Sequence, residues 1–162
     1  MDINITSLTK KHYFNLYNRN GIIIHKEESI TELPENSIFV FGSNTAGRHG
    51  AGAAKYAKLH FGAEYGKGVG LQGQSYALPT LGDNLERLDD RVLYGHFKDF
   101  ILFACRHKNY TFVLTKVGCG LAGYPNAEEM YMCFLEDVIH ELDLPREPEN
   151  IIYPAAFIAP EW

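Results

Sequence analysis

Two glycine-rich segments, residues 42–54 (GSNTAGRHGAGAA) and 118–124 (GCGLAGY), each follow an apolar run and lead into a helix-type pattern. No other feature constrains the fold as tightly. The run Ser37-Ile38-Phe39-Val40-Phe41 is apolar at nearly every position, which suits a strand covered on both faces of a sheet. Phe112-Val113-Leu114-Thr115-Lys116-Val117 reads as a second such strand. Glycines just past a strand let backbone amides come close to a ligand, and the helix that follows points unsatisfied N–H groups the same way. Two such loops in one small chain predict a shared cradle for a phosphate or diphosphate.

The rest of the chain supplies the frame. Residues 5–20 read as a short irregular or helical lead-in, and Gly21-Ile22-Ile23-Ile24-His25 as a strand. Residues 26–36 are polar and close on the turn Pro34-Glu35-Asn36. A helix is expected over residues 53–61, with Ala54, Ala57 and Phe61 on one face and Gly62 as its C-cap. Residues 66–74 carry too many glycines for a regular element. Residues 75–80 form a short strand ended by Pro79, and 82–90 an acidic loop. The clearest helix runs over 91–107, with Val92, Phe97, Phe100, Ile101 and Ala104 as its buried stripe. Asn126 stands at the N-cap of a last helix that reaches about Leu142, with Glu128 and Glu129 in the first turn. Ile151-Ile152-Tyr153 forms a final strand, with 156–158 as a candidate extension, in a proline-rich tail that contains Pro145, Pro148, Pro154 and Pro160. Strands alternating with helices predict one α/β domain over residues 1–162. Its expected form is a three-layer α/β/α sandwich around a mostly parallel mixed sheet. Ligands in such sheets bind at the carboxyl ends of the strands, from which both glycine-rich loops leave.

Composition narrows the partners. Hydrophobic residues make up 46% and charged residues 22%, enough apolar material for a packed core. The net charge of −5 argues against a grip on long nucleic acid, which needs clustered Lys and Arg. A small anion held by backbone amides remains compatible with that charge. Cys105, Cys119 and Cys133 are odd in number and form no CxxC pair, so free thiols are expected. The stretch MDINITSLTKKHYFNLY has no apolar core of a signal peptide and no run approaches membrane-spanning length, so the expected location is the cytoplasm, away from membranes.

The first loop lacks the GK[ST] ending of a Walker A motif and the GxGxxG spacing of a dinucleotide fold. Taken together, FVFGSN, GAGAAKYA, YALPT and FVLTKVGCGLAGYPNAEE resemble the macro domain, which binds ADP-ribose. The resemblance spans about residues 38–136 and looks nearest to small macro-like proteins of bacteria and their phages. GSN stands in place of an NAAN-type ending, and GAGAA in place of a GGGV run. The resemblance implies that Asn44 contacts the distal ribose near the anomeric carbon. It implies that Gly50, Ala51, Gly52 and Ala53 wrap the diphosphate and distal ribose, with Gly42 and Ser43 leading into them. Gly118, Cys119, Gly120, Leu121, Ala122 and Gly123 would close over the diphosphate, with Tyr124 against the distal ribose. Macro domains carry an acidic residue after an early strand to read the adenine amino group. Here Lys26-Glu27-Glu28 follows that strand in place of Gly-Asp-Ile, leaving Glu27 or Glu28 for the task.

Several side chains stay open to two readings. Asn44 is a ribose contact or a loop brace. Arg48 is a phosphate partner, and His49 a proton-transfer group, or both are solvated loop residues. Gln72, Gln74 and Ser75 line the pocket or satisfy loop backbone groups. Cys119 sits at a helix entrance where a thiolate can form, or fills space. Asp83, Glu86, Asp89 and Asp90 read as a solvated acidic run. The resulting expectation is a nucleotide site that hydrolyses an ADP-ribosyl bond, catalytic through Asn44 and His49, with no metal or cofactor demanded. The alternative is a non-catalytic module that senses or sequesters an NAD-derived signal, in a setting of conflict between phage and host.

Overall fold

The computed structural model describes residues 14–158 except 20 and 28, so most of the lead-in expected over 5–20, Glu28 and Pro160 lie outside the described residues. Seven strands form one sheet: β1 (Tyr17–Arg19), β2 (Ile22–His25), β3 (Ser37–Asn44), β4 (Gly70–Gln72), β5 (Ser75–Leu81), β6 (Thr111–Leu114) and β7 (Ile151–Pro154). Three α-helices accompany them among the described residues: α1 (Gly52–His60), α2 (Asp90–Arg106) and α3 (Ala127–Glu141). The spatial order is β1-β2-β7-β6-β3-β5-β4. The four inner pairings are parallel, and only the edge pairs β1–β2 and β4–β5 are antiparallel.

Strand geometry sends alternate side chains to opposite faces, and the apolar runs fill both faces at once. Ile24, Ile38, Val40, Tyr76, Leu78, Phe112, Leu114, Ile151 and Tyr153 join one core with the buried stripes of α2 and α3. Their strand neighbours Ile23, Phe39, Phe41, Ala77, Val113 and Ile152 join a second core with Ala54 and Ala57 of α1. The molecule is therefore a three-layer α/β/α sandwich on a mixed, mostly parallel sheet. No helix among the described residues is long and apolar enough to cross a membrane.

Local expectations are corrected in six places. Tyr17–Arg19 is an edge strand paired antiparallel to β2, not an irregular or helical segment. Gly70–Gln72 is also a strand, because an edge position makes few packing demands on its residues. Pro79 lies inside β5 and does not end it: β4 pairs only with Ser75, Tyr76 and Ala77, so no ladder partner stands opposite the missing N–H. In α2 the buried residue is Leu93, while Val92, one step off the core-facing stripe, is 44% exposed. Asn126 occupies the N-cap of α3 in a left-handed conformation, and its side chain makes no capping hydrogen bond. Ala155–Phe157 is a turn of 3-10 helix in place of a strand extension.

Candidate functional site

β3 and β6 lie side by side and parallel, with Ser37 opposite Thr111 and Val40 opposite Leu114. Their carboxyl ends therefore face the same way, and the two glycine-rich segments leave from adjacent points. The segment leaving β3 enters α1 on one face of the sheet and that leaving β6 enters α3 on the other, so a crevice opens between them. A methyl group at Gly42 would stand 3.3 Å from the Thr80 side chain and 3.8 Å from the Gly118 amide nitrogen. The resulting cavity has a volume of about 1130 Å³, just above the roughly 300–1,000 Å³ common for small-molecule sites.

Gly42, Ser43, Asn44, Arg48, His49, Gly50, Ala51, Gly52 and Ala53 line it from the first segment. Gly118, Cys119, Gly120, Leu121 and Ala122 line it from the second. Gly42, Ser43 and Asn44 belong to β3 itself, which runs three residues further than the apolar run. Gly123 and Tyr124 are not in the wall. The Tyr124 hydroxyl donates to the Thr80 carbonyl at 2.7 Å and accepts from the Leu88 amide at 2.8 Å. Arg87 donates to the Gly123 carbonyl at 2.7 Å and lies over the Tyr124 ring. The pair thus latches the second loop to the segment after β5, in place of the ribose contact expected of Tyr124.

Helix α1 opens into the cavity without a cap. Ala51 at its N-cap has no side-chain acceptor, and the first turn holds no acidic residue. Gly52, Ala53 and Ala54, whose amides the first helical turn leaves without intrahelical partners, line the cavity at the positive end of the helix dipole. Arg48, Lys55 and Lys116 line the wall, against one carboxylate among the described residues, Glu27. In a chain of net charge −5 this is a local reversal of sign that suits an anion. The Asn44 side-chain oxygen accepts from the Arg48 amide at 3.2 Å, and its Nδ2 has no partner among the described residues.

The glycine-rich stretch after α1 is the brace for the first loop. The Ser43 hydroxyl donates to the Gly68 carbonyl at 2.6 Å, and the Gly66 amide to the Gly47 carbonyl at 2.8 Å. Gly47, at φ +70, could bear no Cβ, since one would stand 2.4 Å from the Lys67 nitrogen. Gln72 is 2% exposed, donates to the Lys67 carbonyl and accepts from the Glu64 amide. Gln74 donates to the Pro34 carbonyl and Ser75 to that of Gln72. All three are backbone braces, and none lines the cavity.

The two histidines near the site are fixed in the same way. A carbonyl can only accept, so His25 donates from Nε2 to Leu114 at 2.7 Å, and its Nδ1 accepts from the Glu27 amide at 3.2 Å. That bond holds Glu27 in the wall. His49 is 2% exposed, where a solvated or proton-shuttling loop residue was expected. Its Nε2 donates to the Lys67 carbonyl at 3.0 Å, and its Nδ1 is buried without a partner among the described residues. The Cys119 thiol is pushed up to about 11, first by burial and then by the neighbouring Glu128, which disfavours the thiolate at neutral pH. Gly118, at φ +79, keeps the second loop close over α3, where a Cβ would meet Tyr131 at 3.2 Å and Ala127 at 3.3 Å.

Sequence patterning missed the wall residues Thr80, Thr115, Lys116, Lys55 and Leu85. Lys55 and Lys116 sit beside the glycine-rich segments, so their charge was the available signal. The others reach the cavity only through strand pairing and a turn.

No family model matches the chain, and no curated protein matches it. Among solved structures it is similar to a protein from Bacteroides thetaiotaomicron whose crystal structure comes from a structural genomics programme. The two share 15% identity over 80% of this chain and 96% of the other, with a TM-score of 0.45. A likeness at that level carries no argument about function.

Proposed function

We propose that this chain binds ADP-ribose or a related NAD-derived nucleotide, in the manner of a macro domain, and hydrolyses an ADP-ribosyl bond. One observation carries the reading: both glycine-rich segments and the uncapped N-terminus of α1 line a single cavity whose charged wall is mostly cationic. In this reading the diphosphate lies against the amides of Gly52, Ala53 and Ala54, with Arg48 adding charge-assisted hydrogen bonds. The distal ribose lies at Asn44, whose unpartnered Nδ2 donates to it. Glu27 accepts from the adenine amino group.

Catalysis here is positional. Water adds through its oxygen to the anomeric carbon as the bond to the leaving group breaks, and a proton passes from that water to the leaving group. Asn44 orients the ribose and the water.

A binding-only module that senses or sequesters the nucleotide is favoured by a separate observation. His49 has Nε2 committed to Lys67 and its unprotonated Nδ1 buried away from solvent, and burial and Glu128 disfavour the Cys119 thiolate, so neither supplies a ready base or nucleophile. Calorimetric titration with ADP-ribose tests both readings, and no heat at millimolar ligand would sink them together. Incubation with ADP-ribosylated protein and nucleic acid then separates them. Release of ADP-ribose that disappears in Asn44→Ala supports the hydrolase, and tight binding without release supports the sequestering module.

A further inference from the structure

The second glycine-rich loop holds itself together only at its base. The Cys119 amide donates to the Lys116 carbonyl at 3.1 Å, and the Tyr124 amide to the Gly118 carbonyl at 3.0 Å. Between them the amides of Gly120, Leu121 and Ala122 have no hydrogen-bond partner among the described residues, and all three residues line the cavity. Leu121 is 78% exposed, so packing adds little hold on this tip. Free amides in a row can receive phosphate oxygens, and they do so tightly only where the segment is held in place beforehand.

That hold comes from the turn between β5 and α2. Arg87 donates to the carbonyl of Gly123, one residue past the tip, at 2.7 Å, and its guanidinium stands 5.3 Å from the centre of the Tyr124 ring. The Tyr124 hydroxyl is bonded to Thr80 at one end of the turn and to Leu88 at the other. The same turn is fastened to the exit of β3. Leu81 pairs with Asn44 and is bridged to Arg87, and its carbonyl accepts from the Thr45 amide at 3.0 Å. Asp83 accepts from the Thr45 hydroxyl. One short stretch therefore ties Asn44 in one wall of the cavity to Gly123 at the end of the other. Neither Arg87 nor Tyr124 lines the cavity itself.

We infer that Arg87 and Tyr124 are positioning residues, which act through the second loop to hold its free amides in register with Asn44. The inference rests on the reading that the cavity takes ADP-ribose, whose diphosphate those amides would meet. Apparent affinity scales with the fraction of molecules in the binding-competent state, so a loop in place only about a tenth of the time would weaken binding about tenfold.

Calorimetric titration of the intact chain with ADP-ribose tests this. Arg87→Ala removes the bond to Gly123 at an exposed position, and Tyr124→Phe removes both hydroxyl bonds with no change of charge. Each is expected to weaken ADP-ribose by roughly tenfold. The ratio of parent to variant affinity should persist at about 1 M salt, where exposed charges act over only about 3 Å. In Arg87→Ala the melting temperature should hold while the Tyr124 amide exchanges with solvent faster than in the parent. Unchanged affinity in Arg87→Ala overturns the inference alone, and so does a loss that vanishes in high salt, since a distant charge would then account for it. A melting temperature that falls along with affinity in Arg87→Ala assigns the residue to the fold and also overturns it. Failure of the unaltered protein to bind ADP-ribose overturns the nucleotide reading along with the inference.

Discussion

The Nε2 of His49 lies 3.0 Å from the carbonyl oxygen of Lys67, and that same oxygen takes a second hydrogen bond from Gln72 at 2.8 Å. The ring also stands edge-on to Phe41, with centroids 5.1 Å apart. His49 therefore fastens the first loop to the stretch behind it. Removing it leaves Gln72 to satisfy the carbonyl but empties a buried site. His49→Ala is expected to lose about 1–3 kcal/mol of stability, the range for losing a buried hydrogen bond and its packing. Urea denaturation measures this; an unchanged midpoint with abolished turnover would return His49 to a catalytic role.

Two glycines of the same loop should behave oppositely. A Cβ at Gly47 would stand 2.4 Å from the Lys67 nitrogen on a φ of +70, whereas at Gly50 it would meet nothing within 4 Å. Gly47→Ala is expected to cost about 3 kcal/mol or to prevent folding, since neither backbone can yield. Gly50→Ala should stay within about 0.5 kcal/mol of the parent. Paired denaturation curves decide, and equal effects would contradict the packing described for the loop.

Arg48 is exposed, lines the cavity and forms no ion pair among the described residues. Arg48→Ala should therefore leave the melting temperature where it is. Losing a charge-assisted hydrogen bond of about 1.5–3 kcal/mol would weaken ADP-ribose binding by roughly 10- to 150-fold. Calorimetry on the folded variant reads the change, and an affinity equal to the parent's would remove Arg48 from the site.

Cys119 should be slow to alkylate at neutral pH. Burial and then the Glu128 carboxylate push its thiol from the ordinary 9.0 up to about 11, since both disfavour the thiolate. The reactive fraction therefore rises only as pH climbs toward that value, whereas exposed Cys133 should react far sooner. Glu128→Gln removes the nearby negative charge, lowers the thiol's pKa and should speed labelling at pH 8. Mass spectrometry of iodoacetamide adducts checks the order; faster labelling of Cys119 than of Cys133 would contradict it.

Much of the fold was legible because its signals are local. The apolar runs at Ile38–Phe41 and Phe112–Leu114 announce strands buried on both faces, and the structure divides each run between two cores. The edges were less legible. Tyr17–Arg19 and Gly70–Gln72 are short and lightly packed, so little in their residues distinguishes strand from loop. Pro79 misled because its cost depends on whether a neighbour needs its N–H, and β4 ends before that point. Asn126 has the composition of an N-cap, yet a left-handed backbone turns its side chain away from the task.

The two glycine-rich segments at the heart of the site were evident from residue type and order, because glycine's freedom at a strand exit is a property of the chain itself. Their meeting is a matter of tertiary structure: β6 inserts next to β3, and only that pairing brings Gly118 within reach of Gly42. Side-chain roles follow the same division. Hydrogen-bond partners distant in sequence make braces of His49, read from the sequence as a proton-transfer group, and of Tyr124, read as a ribose contact, through the carbonyls of Lys67 and Thr80. A buried polar group must find its partner wherever the fold supplies one, so its task is decided by packing and not by its neighbours in the chain.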